Sequence, residues 1–458
     1  MRKKKIRLST TRMIALGFLI LITIGTLLLM LPISSRSREM TPLVDALFTA
    51  DTSACVTGLV VYNTLGHWSL FGQVIILGLI QVGGLGVVTM ITLVMILLGR
   101  RLSLYQVLLM QDSLNIDSLR GIVGVTKRVV RFSLTIEGIG ALLYMIRFVP
   151  MYGPLKGLWY SIFTAVSAFC NAGIDLTGGD SLCGFRGDIF INLVTIGLIV
   201  IAGLGFPVWW DMMTFFKRIF KEKMSVRHAA RRLTLHSKLV LAMTGILVFV
   251  GALLIFIFDY HNDASLGKLP LWEKILSAFF QSVTVRTAGF QTIPQADFSH
   301  PAQLVSMILM FIGGSPCGTA GGVKTVTVAV IILNIYANIK HRKSPEVFRR
   351  SINAAYVQKA TTVFMVSFVI LFVSIISLCI VMPSADIMDV AYELTSAIAT
   401  VGLSRGLTAA LTTAGKIIVI LTMFAGRIGP ISLALAFTVH DDTGRHIREL
   451  PEEKITVG

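Results

Sequence analysis

Acidic side chains are scarce in this 458-residue chain, where 24 Asp and Glu stand against 41 Lys and Arg. Charge of either sign is scarce too, at 14% of residues, whereas soluble domains carry about 25%. The five cysteines (Cys55, Cys170, Cys183, Cys317 and Cys379) show no CxxC spacing and are odd in number, which argues against a disulfide framework or a thiolate zinc site. There is no Walker-type phosphate loop and no Asp-Lys-Thr-Gly phosphorylation sequence, so the chain does not itself hydrolyse ATP. His67, His261, His300 and His440 fall at the ends of apolar runs and supply no nucleophile–base pair or metal cluster, which counts against an intramembrane enzyme. The stretch Gln81-Val-Gly-Gly-Leu-Gly86 only superficially resembles a dinucleotide fingerprint, because it lies inside an apolar run with no strand before it.

What the chain does have is apolar length. Hydrophobic residues make up 54% and mean hydropathy is +0.79. Runs long enough to cross a bilayer recur, for example residues 13–33, 74–98, 239–258 and 361–382. The expected fold class is therefore an all-α polytopic membrane protein. The run at 13–32 is too long for a signal peptide and lacks a clear cleavage site, so it reads as the first span. The formal charge of +17 is not a nucleic-acid signature, because the bases cluster between apolar runs: RKKKIR at the start, then 100–101, 127–131, 217–223, 227–232 and 340–343. That is the positive-inside pattern, and it puts these stretches and both termini in the cytoplasm, with an even number of spans. Basic loops such as 217–232 suit anionic lipid or a cytosolic partner.

Four stretches align on a glycine: FTADTSACVTGL, FTAVSAFCNAGI, FFQSVTVRTAGF and YELTSAIATVGL, centred on Gly58, Gly173, Gly289 and Gly402. Successive glycines are 115, 116 and 113 positions apart. Four copies at one period indicate duplication of a multi-helix unit. Each unit reads as a span, a short helix, a glycine stretch and a second span. The 42–53 segment would be about 18 Å long as a helix, too short for a hydrocarbon core of about 30 Å, which suggests a re-entrant half-helix. Eight spans around a pseudo-fourfold axis follow. The expected divisions are 1–110, 111–230, 231–350 and 351–458.

Glycine permits left-handed backbone, and a half-helix points its negative end at the loop that follows it. Four such loops make a ring of carbonyl oxygens suited to a dehydrated alkali cation. The expected filter is Val56, Thr57 and Gly58; Asn171, Ala172 and Gly173; Thr287, Ala288 and Gly289; Thr400, Val401 and Gly402. Each copy has one glycine, which implies one well-formed ion site with looser sites around it.

A second insert, GGSPCGTAGG at 313–322, interrupts an apolar run from about 303 to 339. It contains Gly313, Gly314, Ser315, Gly318, Thr319, Gly321 and Gly322, with Lys324 just after. It reads either as a kink or as an intramembrane gating loop, 313–325, beneath the filter. Arg427 lies ten residues into the last apolar run, where a cation faces a cavity or a partner. Arg286, three before Gly289, is expected to brace the filter loop by donating to half-helix carbonyls, with Asp51 or Glu393 as partner. Asp51, Glu137, Asp175 and Glu393 are minority candidates for sodium coupling or cation attraction.

The four-unit arrangement, RTAGF in the third unit and FAGRIGP near the end resemble the ion-conducting subunit of bacterial Ktr/Trk potassium uptake systems, and a short N-terminal arm and tail look more like the Ktr type. The resemblance covers nearly the whole chain. It implies potassium as the transported ion and sodium stimulation in many members, in a multi-pass protein of the bacterial cell membrane. It also implies a homodimer, membrane lipids and a cytosolic nucleotide-binding RCK/KTN ring as partners, with no nucleotide on this chain. It favours the gating reading of 313–325 and puts Arg427 against that loop. A different class, a sodium-coupled secondary transporter for a small solute, remains the alternative.

Overall fold

The computed structural model describes residues 10–97, 122–178 and 180–429. Each unit opens with a long apolar helix: α1 (Thr10–Leu29), α5 (Ile122–Tyr152), α9 (Leu235–Asp259) and α13 (Ala354–Val381). Side-chain caps start two of them, Thr234 accepting from the Ser237 amide and Asn353 from the Ala355 amide. A shorter buried helix follows in each unit: α2 (Leu43–Ala54), α6 (Pro154–Cys170), α10 (Leu271–Thr284) and α14 (Ile387–Ala399). These contain 12, 17, 14 and 13 residues. All are about 18–26 Å long, short of the hydrocarbon core.

The second spans of the first two units depart from the expected single run, and that of the third is interrupted at the expected insert: in each of the three the helix breaks and the chain turns. The first unit has α3 (Leu70–Leu85) and α4 (Val87–Leu97), parted at Gly86 with φ 88°. The second has α7 (Ile189–Gly203) and α8 (Phe206–Phe220), bent by 102° around Gly205 with φ 86°. The third has α11 (His300–Phe311) and α12 (Thr325–Ile339), parted by the 313–322 insert. The fourth has α15 (Thr413–Ile428), which ends at Gly429 with φ 93°. Among the described residues four helices are long and apolar enough to cross a membrane, or five if the bent pair is one span. Gly86, the end of the rejected fingerprint, serves a backbone turn that a side chain would strain.

The units close on one another in order. The second-span helices α3, α7, α11 and α15 pack on α6, α10, α14 and α2, so each second span leans on the next unit's short helix and the fourth returns to the first. Lys416 of α15 and Asp45 of α2 seal that last junction with an ion pair of 2.6 Å, and the Tyr62 hydroxyl donates to the other Asp45 oxygen at 2.7 Å. That hydrogen bond pushes the Tyr62 phenol up to about 12, so Tyr62 remains a donor at neutral pH.

Of the expected unit boundaries, 110/111 and both chain ends lie outside the described residues. The 230/231 boundary cuts the helix Val226–Arg231, and 350/351 cuts β2 (Arg350–Ser351), which pairs with β1 (Glu346–Val347). Both connectors carry local structure of their own, which a division based on period alone did not register.

Candidate functional site

The four short helices all end at the aligned glycines. The residue two before each glycine has left-handed backbone: Val56 at φ 56°, Asn171 at 60°, Thr287 at 69° and Thr400 at 51°. The glycines are left-handed too, at 97°, 64°, 82° and 94°. Three of the four non-glycine residues are β-branched, for which this region is a true outlier, and each costs about 1–2 kcal/mol. Strain repeated in register four times marks a backbone held for a purpose. The sequence places Val56, Asn171, Thr287 and Thr400 in the expected filter but gives no sign of their left-handed backbone.

Hydroxyls six residues before the glycine hold two of the loops, whereas Ser167 at that register in the second unit makes no such bond. The Gly58 amide donates to Thr52 Oγ1 at 2.9 Å, and the Gly402 amide to Ser396 Oγ at 3.0 Å. The third unit has Val283 at that register, and Thr284 substitutes by donating its hydroxyl to the Phe290 carbonyl at 2.5 Å. The four loops also meet. A β-carbon on Gly58 would strike the Ala172 carbonyl oxygen, one on Gly173 that of Ala288, one on Gly289 that of Val401, and one on Gly402 that of Thr57. The contacts run in unit order and close. Four glycines and the four carbonyls that precede them therefore converge on one place.

The 313–322 insert lies against this ring. Ile312 and Val323 form a parallel bridge that pinches its ends together. The Gly321 amide donates to Thr287 Oγ1 at 3.2 Å, and a β-carbon on Gly321 would collide with Thr400 Oγ1. The Thr319 hydroxyl donates to the Phe169 carbonyl at 3.1 Å. Ser315 donates its amide to the Gly203 carbonyl at 3.0 Å and shares a hydroxyl contact of 3.1 Å with Thr325. Lys324 turns back to the carbonyls of Ala320 at 2.6 Å and Gly321 at 3.3 Å. Gly314 and Gly318 sit where a β-carbon would press on Ala320 and on the Ala202 carbonyl. Arg427 completes the ring of ties. Its Nη1 donates to the Thr319 carbonyl at 2.8 Å, and its Nη2 to the carbonyls of Gly83 and Gly84 at the break in α3–α4. One cation thus binds the last span to the loop and to the first unit.

Arg286 differs from expectation. It is buried, yet its Nε has no hydrogen-bond partner and it is in no ion pair among the described residues. Neither proposed acid reaches it. Asp51 accepts from Cys55 Sγ at 3.4 Å, and Glu393 is taken up by the Ser404 hydroxyl at 2.6 Å and by the Thr408 hydroxyl. The reason is register: Asp51 is seven residues and Glu393 nine residues before its glycine, so each acid turns to its own unit. Glu137 accepts from Gln81 Nε2 at 3.0 Å, and Asp175 from its neighbour Thr177. The four acids are therefore not gathered into one site.

Four glycine loops packed end on end inside a bundle of long apolar helices are the architecture of a membrane protein, and among the described residues no group of three or more His, Cys, Asp or Glu could hold a metal ion. The family model for TrkH, a cation transport protein, matches residues 2–447, and the chain belongs to that family. It is not an enzyme. It is 40% identical over 436 residues to the Ktr system potassium uptake protein B of Bacillus subtilis, covering 95% of this chain and 94% of that protein. It is 37% identical over 461 residues to the potassium/sodium uptake protein NtpJ of Enterococcus hirae, covering 100% and 99%. The solved potassium transporter TrkH of Vibrio parahaemolyticus shares the fold at TM-score 0.73 and 17% identity, over 96% of this chain and 86% of that one.

Proposed function

We propose that this chain is the potassium-translocating membrane subunit of a bacterial Ktr-type uptake system. The carrying observation is the convergence of Gly58, Gly173, Gly289 and Gly402 with the carbonyls of Thr57, Ala172, Ala288 and Val401. Oxygen dipoles held by strained backbone can replace the hydration shell of an alkali ion without reorganising. The eight spans are then four continuous helices, one opening each unit, and four second spans around the ring. The loop at 313–325 is the gate beneath it. Arg427 holds the gate shut by its bonds to Thr319, Gly83 and Gly84, and it adds positive charge on the ion's path. Arg286 supports the third filter loop.

Relatives named for the Ktr system support assembly with other Ktr components. The assembly proposed is a homodimer docked on a cytosolic nucleotide-binding ring. A relative named for both potassium and sodium uptake supports sodium as a second cation. Both termini and the basic connectors face the cytoplasm at the cell membrane. Matched relatives named for potassium uptake do not favour the solute-symporter alternative. The test is potassium flux into proteoliposomes of the purified protein, with sodium and the cytosolic partner varied. Absence of potassium flux under all these conditions, with a well-folded protein, would refute the reading.

A further inference from the structure

The bend between α7 and α8 turns the chain by 102°, so if α7 crosses the bilayer α8 runs close to the membrane plane. The 15 residues of α7 rise about 22 Å, which brings the bend to the inner part of a core of about 30 Å. The face that α8 turns inward is fixed. Val208 packs with Val240 of α9 and Val326 of α12, and Asp211 accepts from the amide and hydroxyl of Thr234, both at 2.9 Å. Trp210 lies under the Arg128 guanidinium of α5 at 5.7 Å. The opposite face is unpartnered: Met213, Phe216 and Phe220, at i, i+3 and i+7, are exposed, Phe220 by 77%. Near it stand the exposed Lys217, Lys221 and Lys223, with Glu222 among them, whereas Arg218, seven residues after Asp211, is only half-exposed and its Nη1 is buried. An aromatic stripe flanked by cations on a helix lying in the plane is the pattern of an interfacial helix on an anionic leaflet.

The near end of α8 is tied to the loop. The Phe206 amide donates to the Cys317 carbonyl at 3.1 Å, and a β-carbon on Gly205 would collide with the Pro316 carbonyl. We infer that α8 is a membrane-surface helix seated on anionic phospholipid of the inner leaflet, and that this seat steadies the 315–318 segment of the intramembrane loop. Met213, Phe216 and Phe220 enter the acyl boundary, and Lys217, Lys221 and Lys223 meet lipid phosphates. Because the seat fixes the loop where it now lies, against the filter ring, anionic lipid slows ion passage. The slowing rests on the gating reading above; the seat does not.

The full-length protein is reconstituted in vesicles of phosphatidylcholine with or without phosphatidylglycerol. Retention of labelled phosphatidylglycerol by the purified protein reads the seat without any ion flux. Each surface cation contributes about fivefold to binding an anionic leaflet, so Lys217→Gln/Lys221→Gln/Lys223→Gln should weaken retention on the order of a hundredfold. Lys217→Arg/Lys221→Arg should retain the lipid and so guards against a folding artefact. Equal retention by wild type and the triple glutamine variant overturns the seat. So does efficient crosslinking of Phe220→Cys between two copies, which would assign the face to a second copy. Potassium flux in wild type should fall when phosphatidylglycerol is added, and flux in the glutamine variant should not respond. Lipid retention with flux indifferent to lipid in a conducting wild type overturns the coupling to the loop. Absence of flux in every vesicle counts instead against the transport reading.

Discussion

Arg427 Nη1 stands 2.8 Å from the carbonyl oxygen of Thr319, across 108 residues of sequence, and the same guanidinium reaches Gly83 on the far side. A charged donor bonded to backbone is worth about 1.5–3 kcal/mol per bond, so this one residue is a principal restraint on the loop.

Arg427→Ala should release that restraint. Potassium flux per folded protein should rise and depend less on a cytosolic partner, while thermal stability falls. Arg427→Lys, with a point charge instead of a fork, should be intermediate because it cannot span Thr319 and Gly83 together. Flux in proteoliposomes, normalised to monodisperse protein, is the measurement. No gain in well-folded Arg427→Ala removes Arg427 from the gate.

Shortening the loop tests the gate with Arg427 itself left in the chain. Deleting residues 316–319 removes the segment bonded to Phe169, Phe206 and Arg427. Flux should increase, and its response to the partner should shrink. A simple packing kink would instead give misfolded protein or equal or lower flux.

Gly402→Ser places a side chain against the Thr57 carbonyl at φ 94°. Strain and collision together exceed 1.4 kcal/mol, the equivalent of a factor of ten, so potassium uptake or its preference over sodium should fall by about tenfold or more. Gly289→Ser should do the same through Val401. Uptake of both cations is compared in cells that accumulate the variants equally. Unchanged uptake and selectivity would count decisively against the filter.

Lys416→Met leaves Asp45 buried with only the Tyr62 hydroxyl as donor to its carboxylate. Removing one partner of a buried pair costs about 3–5 kcal/mol, so the melting temperature in detergent should drop clearly. Lys416→Met/Asp45→Asn should recover part of the loss, because no uncompensated charge remains. Equal melting of Lys416→Met and wild type would show that this junction does not hold the fourth unit to the first.

Orientation is checked by labelling single cysteines in a background lacking the five natural ones. Gly66→Cys and Lys268→Cys should react with an impermeant reagent in sealed cells, and Ser225→Cys should not. Reaction at 225 would invert the topology.

The membrane class, the fourfold glycine register and the positions of the short helices were all legible from the chain. They depend on local quantities: hydropathy over a window, charge between windows, and spacing between copies. The segment 42–53 emerged as α2, Leu43–Ala54, because a length too short to cross is already a statement about geometry. The breaks at Gly86 and Gly205 were not legible, because hydropathy hardly changes where the backbone turns. Nor were the left-handed backbones of Val56, Thr287 and Thr400, since β-branched residues disfavour them and only the closed ring imposes them. Arg286 shows the opposite failure. Asp51 and Glu393 were candidate partners from their registers, but the hydrogen bonds they accept come from their own units, and Asp51 Oδ2 has none. By itself the sequence determined which segments enter the bilayer and where they repeat, because the bilayer sorts residues by polarity one stretch at a time. Only the tertiary structure decided that Arg427 meets Thr319, that Lys416 meets Asp45, and that four carbonyls converge, because those contacts exist only once the fourth unit has closed onto the first.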